Sequence, residues 1–209
     1  MTRPLAAARS LAPLAAALLV AAAASGCVAQ ASRGGPGTAN PDMDRPALSV
    51  ALDRDDITFL VNDYLGRLEA SPFWQQGIRG AKKQPVVAIW PIWNATSQHI
   101  DDQLATLQSS IETALVNTSS VTVVDRSRQE QLAQEIGIQH GAAYDPASAQ
   151  RLGRQLGAKY FFTGKVSSVD ERLNNVHRVQ YSLFLQVIEI ETGVIRFQNE
   201  VTRSKTLKS

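Results

Sequence analysis

From Val179 to Val187 every second residue is apolar: Val179, Tyr181, Leu183, Leu185 and Val187. A period of two belongs to an extended strand with one buried face. Such a strand cannot stand alone; it needs paired neighbours and a layer packed on its apolar side. Glu191-Thr192-Gly193 reads as the next turn. A last strand follows, with Ile195, Phe197 and Val201 expected on one face. Upstream, Lys159 to Val169 is a β run centred on Tyr160-Phe161-Phe162-Thr163, and Asp170 to Asn175 reads as a polar turn. The second half is therefore an antiparallel three-strand meander. Arg203 to Ser209 is basic and is expected to fray.

The first half has a different rhythm. Asp53, Asp55 and Asp56 place carboxylates at a helix start, where free N–H groups and the dipole favour them. Ile57, Leu60, Val61, Tyr64, Leu65 and Leu68 then recur at helical spacing. Ser71-Pro72 should end that helix. Phe73 and Trp74 are expected to pack back on the core, and Gly77, Gly80, Lys82 and Lys83 to form a polar connector. Pro85-Val86-Val87-Ala88-Ile89-Trp90 is a short continuous apolar run, the mark of a strand buried on both faces. Pro91 ends it, and residues 92–97 read as a loop. Ile100, Leu104, Leu107, Ile111 and Leu115 form a helical stripe, and Val121-Thr122-Val123-Val124 a second buried strand. Strand, helix, strand at this spacing implies a parallel crossover. Asp125 should cap a third helix through Leu132 and Ile136, stopped or kinked at Gly137. Asp145-Pro146 opens a fourth, which ends at Gly157. The fold class is α/β (α+β): a mixed sheet of about five strands, β-α-β followed by two helices and an antiparallel meander, flanked by helices.

The N-terminus is organised around Cys27, the one Cys of the chain. Arg3 and Arg9 precede an apolar stretch, Leu11 to Ala24, and no acid lies before Cys27. That is the layout of a secretory signal. The stretch is shorter than the about 20 residues a membrane-spanning helix needs. Small residues directly before a Cys suggest a bacterial lipobox, with cleavage before Cys27 and acylation of its thiol. Ala24 stands where a Leu is more usual, and a simple signal cut at an A-x-A-like site is the alternative. Residues 1–26 are then a lipoprotein signal, 27–50 the lipidated Cys and a tether, and 51–209 the globular domain. The tether is rich in Gly, Pro, Ser and Ala and spans roughly 25–30 Å as a flexible coil.

The chain carries 21 Lys and Arg against 19 Asp and Glu. Both Arg of residues 1–26 leave with the signal, so the mature chain is balanced and has no field to gather nucleic acid. An acylated Cys27 leaves no thiol for a metal site or disulfide. His99, His140 and His177 show no metal-ligand spacing. No G-x-S-x-G turn is present, and Gly34-Gly35-Pro36-Gly37 lacks the strand and the Lys-Ser/Thr of a phosphate loop. Asp101 and Asp102 are neighbours that diverge by about 100° on a helix, so they serve its first turn rather than a shared acid site. Asn94-Ala95-Thr96 and Asn117-Thr118-Ser119 match a glycosylation pattern by chance. Trp90 and Trp93 flank Pro91; core packing is the default for both, and an exposed Trp would be a partner anchor. No catalytic constellation, cofactor motif or metal site remains. The reading by elimination is a binding or regulatory protein and not an enzyme.

One resemblance adds to this. Pro85-Val86-Val87-Ala88-Ile89, then Asn94-Ala95-Thr96 and His99-Ile100-Asp101, then Val121-Thr122-Val123-Val124-Asp125-Arg126-Ser127 resemble the penicillin-binding protein activator LpoB family. So do Thr163-Gly164-Lys165-Val166 and Glu191-Thr192-Gly193-Val194-Ile195. The likeness covers about Asp53 to Val201. It implies an outer-membrane lipoprotein whose monomeric domain faces the periplasm, where it binds and stimulates a bifunctional penicillin-binding protein of the inner membrane. Val28 agrees with outer-membrane sorting; the short tether is a departure. The resemblance also implies a docking surface on the final hairpin, at Val194, Arg196 and Phe197. An acid is usual where Val194 stands, and Phe197 has a core strand position as its alternative. The rival reading is a structural or secretion-associated lipoprotein of the curli-secretion and flagellar-assembly group. The extra membrane-inserting hairpins such a pore needs are missing.

Overall fold

The computed structural model describes residues 46–135 and 146–208, with 38 and 40–42. Cys27, Ile136, Gly137, His140 and Asp145 lie outside the described residues. A compact unit runs from Asp44 to Ser209. Helix α1 is Arg54–Ala70. Its start is a capping box: the Asp53 carboxylate accepts from the Asp56 N–H at 3.0 Å, and the Asp56 carboxylate accepts from the Asp53 N–H at 3.1 Å. Ser71 ends the helix, its hydroxyl donating to the Leu68 carbonyl. The same oxygen accepts from the Trp74 N–H, which starts a single π-helical turn, Phe73–Ile78. Trp74 is fully buried there. The expected connector thus begins later than Gly77, which lies inside this turn.

Among the described residues the expected mixed sheet has six strands. They are β1 (Val86–Ile89), β2 (Trp93–Ala95), β3 (Thr122–Val123), β4 (Tyr160–Leu173), β5 (Val176–Glu189) and β6 (Ile195–Lys208). The order is β3-β1-β4-β5-β6, with β2 also on β4. β1 pairs in parallel with β3 and β4, as the crossover through α2 (Asp101–Asn117) requires. β2 corrects the expected loop. Pro91 interrupts the ladder without ending it, and the chain resumes pairing with β4 at Trp93. Between Ile89, opposite Phe162, and Trp93, opposite Lys165, the three residues Trp90–Ile92 face only Thr163 and Gly164. That is a bulge with a proline in it.

β4, β5 and β6 form long antiparallel ladders. The turn between β4 and β5 is only Asn174-Asn175, with Asn174 at φ 51°. Asp170 to Leu173, expected in a turn, continue the strand. Their charges had masked the alternation, and cross-strand pairs carry it instead: Glu171 with Arg178, and Asp170 with His177 at 2.9 Å. Gly193, at φ 69°, makes the second turn as expected.

Two cores flank the sheet. The larger lies under α1, α2 and the π turn and takes Val87, Phe162, Val166 and the whole alternating set Val179, Tyr181, Leu183, Leu185 and Val187. The smaller lies on the opposite face, where Ala88, Trp90, Phe161 and Ile190 meet Leu152 of α4 (Pro146–Leu156) and Leu132 of α3 (Arg126–Glu135). Asp125 caps α3, accepting from the Arg128 N–H at 3.1 Å.

The largest departure is the C-terminus. Arg203 to Lys208 are strand, not a frayed tail. Lys205 is buried at 8% exposure, its ammonium 2.5 Å from Asp53, 2.8 Å from Asp56 and 2.8 Å from the Ala51 carbonyl. The capping box of α1 and the last strand are thus one ionic cluster.

Candidate docking surface

The hairpin between β5 and β6 is fixed by its own backbone. Gly193 donates to the Glu189 carbonyl at 2.8 Å, and the Glu189 N–H donates to the Val194 carbonyl at 2.9 Å. The Thr192 hydroxyl donates to the Glu189 carboxylate at 2.9 Å. Beyond the turn the register slips: Ile188 faces Ile195, but Val187 faces Phe197. Arg196 is the extra residue of a bulge, and a bulge re-aims a side chain. The expected single face of Ile195, Phe197 and Val201 is corrected by it. Ile195 stands opposite Ile188 on one side of the sheet; Phe197 stands opposite Val187 on the other.

The three hairpin residues therefore do different things. Val194 is 47% exposed and adjoins Ile195, equally open, so the turn carries an apolar tip. Arg196 reaches across to Glu189, 2.8 Å away. Phe197 is half-buried and packs edge-on against Tyr64 of α1, ring centroids 5.7 Å apart, so it is partly a core residue. Desolvation alone would raise the Glu189 carboxyl. The Thr192 hydroxyl and the Arg196 guanidinium outweigh it and hold the carboxyl below its ordinary value.

Beside Arg196 lies a cleft of about 470 Å³. Its floor is Phe73 against Tyr160, edge to face with centroids 5.3 Å apart. Lys159 stands 5.2 Å above the Tyr160 ring and makes no ion pair with any described residue. The aromatic floor and the two cations, Lys159 and Arg196, line this one cleft, together with the Glu189 carboxylate. Sequence reading missed the cleft because the π turn, the start of β4 and the final hairpin meet only in the fold. The one signal was Phe73, singled out beside Trp74.

Elsewhere the candidate residues scatter. His99 is exposed, and His177 is held by Asp170. Asp101 and Asp102 sit exposed in the first turn of α2. Trp90 is buried against Phe161, while Trp93 is 46% exposed in register with Lys165. Among the described residues no group of three or more His, Cys, Asp or Glu could hold a metal ion. No described helix is long and apolar enough to cross a membrane.

The family described as peptidoglycan-synthase activator LpoB matches residues 56–202. The chain belongs to the LpoB family. The match runs from within α1 to within β6 and includes the turn between β5 and β6. The C-terminal domain of LpoB from Escherichia coli aligns at a TM-score of 0.53 and 17% identity, over 72% of this chain and 99% of that one. The C-terminal domain of LpoB from Salmonella enterica aligns at 0.52 and 16%, over 71% and 98%. At these identities the likeness is one of fold: the mixed sheet and its helices are the LpoB C-terminal fold. No curated protein sequence matches the chain. LpoB-family proteins are activators of peptidoglycan synthases, regulators rather than the enzymes themselves.

Proposed function

We propose that this LpoB-family chain is a lipid-anchored periplasmic regulator that binds and stimulates a bifunctional penicillin-binding protein. The observation that carries the reading is the family match over residues 56–202. Acylation of Cys27 anchors the chain to the outer membrane, and residues 27–50 let a monomeric domain, residues 51–209, reach toward its partner. Stable anchoring needs more than one acyl chain, which a lipobox cysteine supplies. Docking uses the final hairpin and the cleft beside it: Val194 and Ile195 as an apolar tip, Arg196 and, from the cleft, Lys159 as cations, and Phe197 setting the strand against α1. Binding the more active conformation of the synthase better than the less active one shifts the synthase toward it.

The test is pull-down of bifunctional penicillin-binding proteins by the mature chain, with glycan polymerisation measured alongside. Capture of one with faster polymerisation is the expected result; no capture of any sinks the proposal. Arg196→Glu should weaken capture tenfold or more. It places a second carboxylate beside Glu189 and removes a half-exposed ion pair worth about 1 kcal/mol or less, so the fold should survive. Cys27→Ala should move the chain from the membrane fraction to the soluble fraction. A signal cut without acylation would leave fractionation unchanged by that substitution.

A further inference from the structure

β6 ends the sheet, and among the described residues no strand pairs with its outer edge. Which of its backbone groups face out follows from the β4–β5 turn. A two-residue turn is closed by a pair that exchanges both hydrogen bonds, here Leu173 and Val176. The even-numbered residues of β5 therefore bond to β4 and the odd-numbered ones to β6. The far end agrees: the Ile190 N–H donates to Lys159, on the β4 side, and the Glu189 N–H to Val194, on the β6 side. Opposite the odd residues of β5 stand Phe197, Asn199, Val201, Arg203, Lys205 and Leu207. The residues between them, Gln198, Glu200, Thr202, Ser204 and Thr206, turn their N–H and C=O groups away from the sheet. That is an open ladder of five residues.

The edge is continuous with the hairpin that carries Val194, Arg196 and Phe197. Along its distal part runs a cleft of about 520 Å³. Thr202 to Thr206 line one side, and Asp55 and Phe59 of α1 line the other. Three carboxylates, Asp53, Asp55 and Asp56, meet two cations there, Arg203 and Lys205. Lys205 is spent on Asp53 and Asp56. Asp55, with half its side chain exposed, shares Arg203 at 3.1 Å. The excess charge is negative. It disfavours a second copy, which would bring the same excess, and suits a basic side chain.

We propose that β6 is an acceptor strand. An extended segment of the synthase adds to its outer edge, bonding to the backbone of residues 198–206 and laying a Lys or Arg over the Asp55 side of the cleft. Strand addition gives a use to an edge that, among the described residues, no backbone hydrogen bond takes up. The inference rests on the docking reading and deepens it.

The experiment uses the mature full chain and the synthase that it captures. In amide hydrogen exchange, Gln198, Glu200, Thr202, Ser204 and Thr206 should gain protection of tenfold or more on binding. Thr202→Pro and Ser204→Pro each remove one outward donor and leave the β5 ladder intact. Each should bind at least tenfold more weakly than the matching Ala variant. Exchange at these five amides that is unchanged in the complex overturns the acceptor strand while leaving hairpin docking standing. Protection of the same amides in the concentrated chain alone, with a dimer on size exclusion, assigns the edge to a second copy and overturns it too. If the wild-type chain captures no synthase, the docking reading falls and the acceptor strand with it.

Discussion

Lys205→Met should destabilise the domain by about 3 kcal/mol, a large part of the roughly 5–15 kcal/mol that a domain of this size has. The Lys205 side chain is 7% exposed and that of Asp56 only 3%. Removing the ammonium leaves the Asp56 carboxylate buried with the Asp53 N–H at 3.1 Å and one cation in reach, Arg203 at 3.5 Å. Breaking one side of a buried pair costs about 3–5 kcal/mol, and Arg203 keeps the loss at the lower end. The same substitution frees Ala51 and the start of α1 from β6. Urea denaturation monitored by circular dichroism reads the effect. Adding Asp56→Asn should recover part of it, because a buried amide is less costly than an unpaired charge. A single substitution that lowers the unfolding free energy by less than about 1 kcal/mol would show that the cluster is not closed in solution.

The same cluster sets a pH profile. Burial by itself would raise the Asp53 carboxyl, but hydrogen bonds from Lys205 and from the Asp56 N–H hold it below its ordinary 3.8. Its contribution is full above that value and is lost as pH falls through the lower folded value. Burial by itself would lower Lys205, but Asp53 and Asp56 hold it above its ordinary 10.5. Its contribution is full below that value and is lost as pH rises through the higher folded one. Stability from this cluster should therefore be flat between about pH 4 and pH 10 and fall on both sides. Lys205→Met should remove the alkaline shoulder.

These residues also show where sequence was enough. The buried set of β5, the cap at Asp53, the stop at Ser71-Pro72 and the turn at Gly193 are local signals, and all stand in the fold. The tail from Arg203 failed because its burial depends on carboxylates at the other end of the domain. A Lys reads as solvent-facing until its partners are known. β2 failed because Pro91 is a strand stop in general, and only an irregular register on β4 lets the chain pass it. The final hairpin was half legible: Val194 and Arg196 are exposed, but the bulge that splits Ile195 from Phe197 inserts one residue without any Gly or Pro to announce it.

Gly164→Ala should be the other severe substitution, costing about 3 kcal/mol. Gly164 is in the middle of β4, where a glycine ordinarily weakens a strand, so its presence needs a cause. The cause is close backbone approach. A Cβ there would collide with the Phe184 carbonyl oxygen and lie 2.7 Å from Leu185 Cδ2 and 2.9 Å from Leu185 Cα. Two of the three obstacles are backbone, which cannot swing aside as a side-chain end can. The contrast is Gly153 in α4, where an added Cβ meets only the side chain of Ile190. Gly153→Ala gains about 1 kcal/mol of helix propensity, but its Cβ would lie 2.6 Å from the buried, β-branched Ile190, so a net cost of about 1 kcal/mol is expected. Gly164 also faces the bulge at Trp90–Ile92, so the strand is pinched between β5 on one side and an extra residue on the other. Overpacking at such a point must part the β4–β5 ladder or push out the bulge, and either displaces Trp93 and the strands behind the hairpin. Thermal melts of the two Ala variants, measured side by side, should differ by about five degrees or more. Similar melting temperatures would mean that β4 and β5 stand further apart at Gly164 than the structure has them.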